Sequence, residues 1–377
     1  MNAGAIQSRA KLRRDPGVRS IIAAWRRLTG GRARRDPERR TLVACSGGAD
    51  SSALALSLAS ASRGLVIAHV LHDLRPIDQA TADRDAACAL AQRLGVPFVE
   101  ASIRPARAPG NAESNARRLR YAALTRLARE HECPFVAVAH HADDAVETLL
   151  MRLIRGTGPQ GLGGMHEARP LAPSGPTLIR PMLDVTREEV LRICTNAGWI
   201  WNEDQTNQDV KRLRAAIRAR VLPVLRDLSP GMAKRTAKAS VLLAQNATLA
   251  RETAAALLEQ TSENEAPNAA FSLDRMLLRG QSPLVLGEVV RQAARLLGGA
   301  MRLDRLNAKS LEAVVRAMKD ESNQPREFTL AGLRVAVRSK QVLFVRRATS
   351  DRQTRDASPE RRQQHYHRPE DHGGGKL

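Results

Sequence analysis

A chain of 377 residues is longer than one typical domain and can bury two modest cores, which predicts a large and a small domain. Its net charge of +21, with arginine supplying 52 of the 60 basic residues, favours a polyanionic partner, while an aromatic content of 3% argues against a base-stacking platform. No apolar run approaches the roughly 18 residues of a membrane span, and Cys45, Cys88, Cys133 and Cys194 are too dispersed for a disulfide framework or a CxxC metal site, so a reducing, cytoplasmic compartment with no membrane partner is expected.

Residues 1–40 hold 12 basic against 3 acidic residues and read as a basic N-terminal extension, either an RNA-binding arm or a solvated segment; Asp15, Asp36 and Glu38 count against a transit peptide. From residue 41, short apolar runs (LVAC, LVIAHV, PFVEASI, PFVAVAH) alternate with helical periodicity over Ser51–Ser62, Thr81–Leu94, Ala112–Glu130 and Asp143–Arg155. That alternation predicts an α/β domain, residues 41–228, with a parallel sheet covered on both faces. The Gly/Pro-rich stretch after Arg155 is either a lid, centred on Gly156–Gly164, or a surface connection. Further helices are expected over Thr186–Ala197 and Arg212–Arg226, then a helical linker over 229–262 and a small α+β domain over 263–346 that ends in a hairpin. Residues 347–377 have almost no apolar content and read as a disordered tail.

The stretch Ser46-Gly47-Gly48-Ala49-Asp50-Ser51 falls between the first strand and its helix. Backbone N–H groups at a helix N-terminus favour an anion, and glycines let phosphate oxygens approach the main chain. The plainer alternative is a tight turn with a Ser or Asp cap. A Walker loop is excluded because no lysine occurs between Lys11 and Lys211, and the spacing does not fit GxGxxG. SGGxDS resembles the pyrophosphate-loop (PP-loop) signature of ATP pyrophosphatases, which split ATP between the α and β phosphates. On that resemblance Ser46, Gly47, Gly48, Ala49, Asp50 and Ser51 bind ATP, and Asp50 holds Mg²⁺, a hard cation suited to a carboxylate.

Further stretches narrow the resemblance: HVLHDLR (69–75), ESNARRLRY (113–121), AHHADDAVETLLMRLIRGTGPQGLGGM (139–165), IRPMLDVTREEV (179–190) and NEDQTNQD (202–209). Together they resemble the tRNA(Ile)-lysidine synthase family over roughly residues 40–226. The resemblance implies a PP-loop domain of the adenine nucleotide α-hydrolase kind, a helical linker and a small tRNA-binding α+β domain. The family's reaction adenylates the C2 oxygen of the first anticodon cytidine of a CAU-anticodon tRNA(Ile), after which the ε-amine of free L-lysine displaces AMP at C2. The implied roles are nucleotide contact for His69, His140 and His141, phosphate stabilisation for Arg117 and Arg120, and capture of the lysine ammonium for Asp144 and Glu147, which lie three apart on one helix face. Each role has a structural alternative: Asp144 and Glu147 as N-terminal helix charges, Glu113 with Arg117 as a surface ion pair, His141 as a cap. The chain departs from the family pattern at Leu71, at Asp73, and at Ala215 in the run Arg214-Ala215-Ala216-Ile217-Arg218. Two other functions compete, a PP-loop tRNA thiolase, which needs accessible thiols, and a non-catalytic nucleotide and RNA binder. The oligomeric state is left open, a homodimer included.

Overall fold

The computed structural model describes residues 9–74, 76–107, 109–157, 165–202, 213–260, 270–298, 308–330 and 332–346. Four of the expectations above lie wholly or mostly outside these residues: Arg75, most of the glycine stretch, most of NEDQTNQD, and the tail.

The βα alternation folds as its periodicity predicts. Strands β1 (Thr41–Ala44), β2 (Leu65–His72), β3 (Phe98–Ile103), β4 (Phe135–Ala137), β5 (Ala168–Pro170) and β6 (Thr177–Ile179) form one sheet in the order β3-β2-β1-β4-β6-β5. All neighbouring pairs are parallel except β5 with β6, which is antiparallel at the edge. The runs lack polar alternation because both faces are covered. One face packs against α1 (Pro16–Leu28), α2 (Ala49–Ala61), α3 (Ile77–Leu94) and α6 (Arg187–Asn196); the other packs against α4 (Ala112–Glu130). Between α4 and α6 in the chain comes α5 (Ala142–Ile154), whose inner side joins Ile217, Leu222, Ala233 and Ala237 in a third apolar cluster.

α2 is buried almost all round, which explains its Ala and Ser content: small side chains let it nest among its neighbours. Ser57 and Ser60 satisfy their buried hydroxyls on the carbonyls of Ala53 and Ser57.

The expected basic extension is corrected by α1. Asp15 caps this helix by accepting from the N–H groups of Gly17 and Val18, and Pro16 occupies its first turn. Val18, Ile21 and Trp25 are fully buried, and the Trp25 indole donates to Thr41 Oγ1 on β1 at 3.0 Å. Arg39 is buried too, donating to the carbonyls of Arg26, Thr29, Gly31 and Arg34, so part of the segment's positive charge braces its own backbone. Among its described residues, this segment is part of the first domain's core.

After α6 come α7 (Leu213–Ala216), one π-helical turn (Ile217–Val221), α8 (Leu222–Leu228) and the long α9 (Met232–Glu259). Contacts divide the chain into units 1–253 and 254–377, a division that falls inside α9. The second unit holds an antiparallel sheet of order β7-β10-β9-β8, made by β7 (Ala270–Asp274), β8 (Arg326–Leu330), β9 (Leu333–Val337) and β10 (Gln341–Arg346). Helices α10 (Arg275–Arg279), α11 (Pro283–Gly298) and α12 (Ala308–Lys319) complete it.

Candidate active site

The turn between β1 and α2 is shaped by its two glycines. Gly47 has φ +86°, and a Cβ there would lie 2.7 Å from the Asp83 carbonyl oxygen, so no other residue fits without displacing α3. Gly48 stands at the N-cap of α2 with no side chain over the first-turn N–H groups, which have no intrahelical acceptor. Ser51 is 4% exposed; its Oγ accepts from the Ser46 N–H at 3.0 Å and donates to the Gly48 carbonyl at 3.1 Å. With that proton committed, the 3.2 Å contact between Ser46 Oγ and Ser51 Oγ is donated by Ser46. Ser51 and the buried Ala49 therefore hold the turn closed, while Ser46 is the exposed hydroxyl at its rim.

Asp50 projects from the first turn of α2 with its side chain 36% exposed. Oδ1 meets the Arg187 guanidinium and lies 3.5 Å from His141 Nε2; among the described residues Oδ2 has no protein partner. A half-exposed carboxylate with one open oxygen beside an anion-binding turn fits Mg²⁺, which takes one or two carboxylates and completes its shell with phosphate and water. Among the described residues no group of three or more His, Cys, Asp or Glu could hold a metal ion without such help.

Opposite this turn, the first turns of α5 bury three carboxylates, Asp143, Asp144 and Glu147. Asp144 Oδ2 accepts the His141 N–H at 3.0 Å, so the capping alternative raised by the sequence is realised. Its Oδ1 accepts from Arg214 at 2.6 Å. Glu147, with no exposed surface, accepts from Arg214 Nε at 2.7 Å and Arg218 Nε at 2.6 Å. Asp143 is matched by Arg226 at 2.6 Å and by the Arg187 N–H at 2.7 Å. Burial alone would raise the Asp144 carboxyl, but His141, His140 and Arg214 hold it well below the usual carboxylate range. The Arg214 and Arg218 guanidiniums thus occupy the acceptor oxygens of Asp144 and Glu147.

His69 and His140 are neutral supports. His69 is buried, its Nδ1–H donating to the Cys45 carbonyl at 2.9 Å, and burial keeps its pKa below the ordinary value. His140 accepts from Arg180 Nε at 3.3 Å through Nδ1, so its proton resides on Nε2. Burial, with Arg180, Arg214 and Arg117 nearby, pushes His140 down to about 3 against the pull of Asp144. His141 is the N-cap residue of α5 and lies within 3.5–3.6 Å of Asp50, Asp143 and Asp144.

The sequence-predicted residues do not all converge. Ser46–Ser51, His140, Asp144 and Glu147 surround one cleft, as does His141, which the sequence offered both as a nucleotide contact and as a cap. Arg117 and Arg120 are exposed on α4, where Arg117 stacks over Tyr121 with its guanidinium carbon 5.2 Å from the ring centre; the Glu113–Arg117 ion pair raised as the alternative does not form. Sequence reasoning missed Arg187, Arg214, Arg218 and Arg180 as site residues. Arg214 and Arg218 were noticed only for the alanine between them, although their i,i+4 spacing matches the i,i+3 spacing of Asp144 and Glu147 and was the available signal.

Three of the four cysteines offer no reactive thiolate. Burial raises the thiol pKa of Cys45 and Cys133 and pushes Cys194 up to about 12.

A PP-loop domain family matches residues 24–225, more than half of the chain. The tRNA(Ile)-lysidine synthase of Geobacter sulfurreducens is 35% identical over 82% of this chain, which spans 66% of that protein's length. For the tRNA(Ile)-lysidine synthase of Bordetella bronchiseptica the figures are 38%, 68% and 73%, and for that of Salinispora arenicola 34%, 81% and 90%. With the loop geometry and these similarities together, the chain belongs to the tRNA(Ile)-lysidine synthase family of PP-loop proteins.

Proposed function

We propose that this protein joins lysine to C2 of the wobble cytidine of a CAU-anticodon tRNA(Ile) at the expense of ATP. The observation that carries this reading is the pairing of opposites in one cleft: an amide-lined turn suited to phosphate faces buried carboxylates that already hold cations. A nucleotide seated on Ser46–Ser51 presents its α-phosphorus to the cytidine O2. The O2–P bond forms, the α–β phosphoanhydride breaks, and pyrophosphate leaves. Lysine, its ammonium drawn to Asp144 and Glu147, releases the ε-ammonium proton to solvent and attacks C2 with the free ε-amine; the C2–O bond breaks and AMP leaves.

The chain's residues supply position and field rather than covalent chemistry. Gly47 and Gly48 admit the phosphates, Asp50 is the residue that would hold Mg²⁺, and Mg²⁺ when bound neutralises phosphate charge. Neutral His140 presents an Nε2 donor beside the cleft. Arg117 and Arg120 reach phosphate only if their exposed side chains swing in when substrate binds. A thiolation reading is disfavoured because it needs accessible, ionisable thiols.

The test is incubation with ATP, labelled lysine and a CAU-anticodon tRNA(Ile) transcript. Label retained in RNA together with AMP release supports the proposal; ATP bound without lysine incorporation would refute it.

A further inference from the structure

Most arginines around the cleft have an acidic partner. Arg187 meets Asp50, Arg214 and Arg218 meet Asp144 and Glu147, and Arg226 meets Asp143. One group departs from this pattern. Tyr121 on α4 carries Arg117 over its ring at 5.2 Å and Arg169, from β5, over its ring at 5.0 Å, and it also neighbours Arg180, just after β6. Among the described residues none of these three arginines forms an ion pair with a carboxylate. Glu167, the acid nearest Arg169 in sequence, is turned to Arg27 in a bidentate pair. The glycine stretch that follows α5, residues 158–164, contains no acid.

Arg180 makes the absence informative. It is 5% exposed, donates to His140 Nδ1 at 3.3 Å and to the His166 carbonyl at 2.5 Å, and among the described residues pairs with no carboxylate. Buried charges are ordinarily paired, and an arginine-rich composition does not explain an unpaired one when its neighbours across the cleft are all matched. His166, beside it, is held below its ordinary pKa by burial and then by Arg251, Arg180, Arg152 and Arg169. Stacking on Tyr121 restrains two guanidiniums and, apart from the Arg169 N–H that donates to the Pro170 carbonyl at 3.4 Å, leaves N–H groups for an oxyanion.

We propose that Arg117, Arg169 and Arg180 around Tyr121 form a phosphate site that takes a backbone phosphate of the RNA strand flanking the target base. Arg180 reaches His140 at the carboxyl end of β4, so the site borders the cleft. β6 lies two strands from β1, about 10 Å away, beyond the turn that cradles the nucleotide. Phosphate contacts of this kind position a strand without reading its sequence, which is what delivery of one unpaired base to the α-phosphorus requires. The inference rests on the RNA-modifying reading above for the nature of its ligand.

The experiment uses the full chain with Arg169→Ala and Arg169→Lys, because Arg169 is half-buried on an edge strand and lies outside the proposed reaction centre. Affinity for the CAU-anticodon tRNA(Ile) transcript is measured against salt, and affinities for ATP and inorganic pyrophosphate in parallel. Arg169→Ala should weaken tRNA binding about five- to tenfold at low salt and reduce the slope of log K against log salt by about 0.7–0.9, the loss of one phosphate contact. Arg169→Lys should restore the slope, and ATP and pyrophosphate affinities should not change. An unchanged tRNA slope, or a loss confined to ATP or pyrophosphate, overturns the proposal. These are binding measurements, so their outcome is independent of whether the unsubstituted protein incorporates lysine.

Discussion

At Glu147 the structural and the functional claims are made by the same two oxygens. A carboxylate with no exposed surface is tolerated because Arg214 and Arg218 neutralise it and fill its hydrogen bonds. If lysine takes the same acceptors, it competes with guanidiniums, and its affinity is set by the difference. Glu147→Gln keeps the shape and removes the charge. We expect the lysine KM to rise by an order of magnitude or more while the ATP KM moves less than threefold, checked by steady-state kinetics with each substrate varied. Equal shifts in both would reduce Glu147 to a helix-terminal charge. Gly47 allows a second test. Gly47→Ala meets both a positive φ and the Asp83 backbone, so it should cost about 1–3 kcal/mol of stability and weaken ATP binding, read by thermal melting and nucleotide titration. The reason for this glycine was legible in SGGADS before any fold was known. The partners of Glu147 were not, because ion pairs between residues 67 and 71 apart leave no local pattern.

At the scale of elements, periodicity was a better guide than charge. The strands and the α2, α4 and α5 helices lie where apolar spacing predicts, because burial on both sheet faces dictates that spacing. Helix α1 was overlooked although Asp15-Pro16 is a cap followed by a first-turn proline, and Val18, Ile21, Ile22 and Trp25 repeat at helical spacing. Twelve basic residues obscured that stripe; they lie mainly on the solvent side, with Arg39 turned inward. The two readings of this segment diverge in a measurable way. If it were an RNA arm, deleting residues 1–40 would weaken tRNA binding and leave the fold intact. Since Trp25 fills the space between α2 and β1, Trp25→Ala should instead cost about 3–5 kcal/mol, and the deletion should prevent the first unit from folding. Urea denaturation and the recovery of soluble protein separate the outcomes; a stable, folded deletion variant would count against the placement of α1.

For the molecule as a whole, composition announced an excess of positive charge but not its arrangement. Much of the cleft's charge is internal, with arginines from α6, α7, the π-helical turn and α8 meeting the carboxylates of α2 and α5. Segments far apart in sequence are therefore held together by ionised groups, and the fold's stability must depend on pH. The sign follows from two of them. His140 is neutral in the folded protein with its pKa depressed to about 3, against 6.5 when unfolded. Between those values the unfolded chain binds a proton that the folded one does not, so stability falls as pH drops from 6.5. Asp144, held below its unfolded value of 3.8, adds stability above that value and loses it as the carboxyl is protonated at still lower pH. Both act in the same direction, and their windows adjoin. Melting temperatures measured from pH 7.5 to 2.5 should decline steadily below 6.5, and His140→Asn should flatten that decline down to about pH 4 while leaving the part below 3.8 that Asp144 contributes. A profile level down to pH 4, or one unaffected by the substitution, would mean that His140 takes up its proton as readily in the folded protein as in the unfolded chain, and that Arg180 does not fix its tautomer.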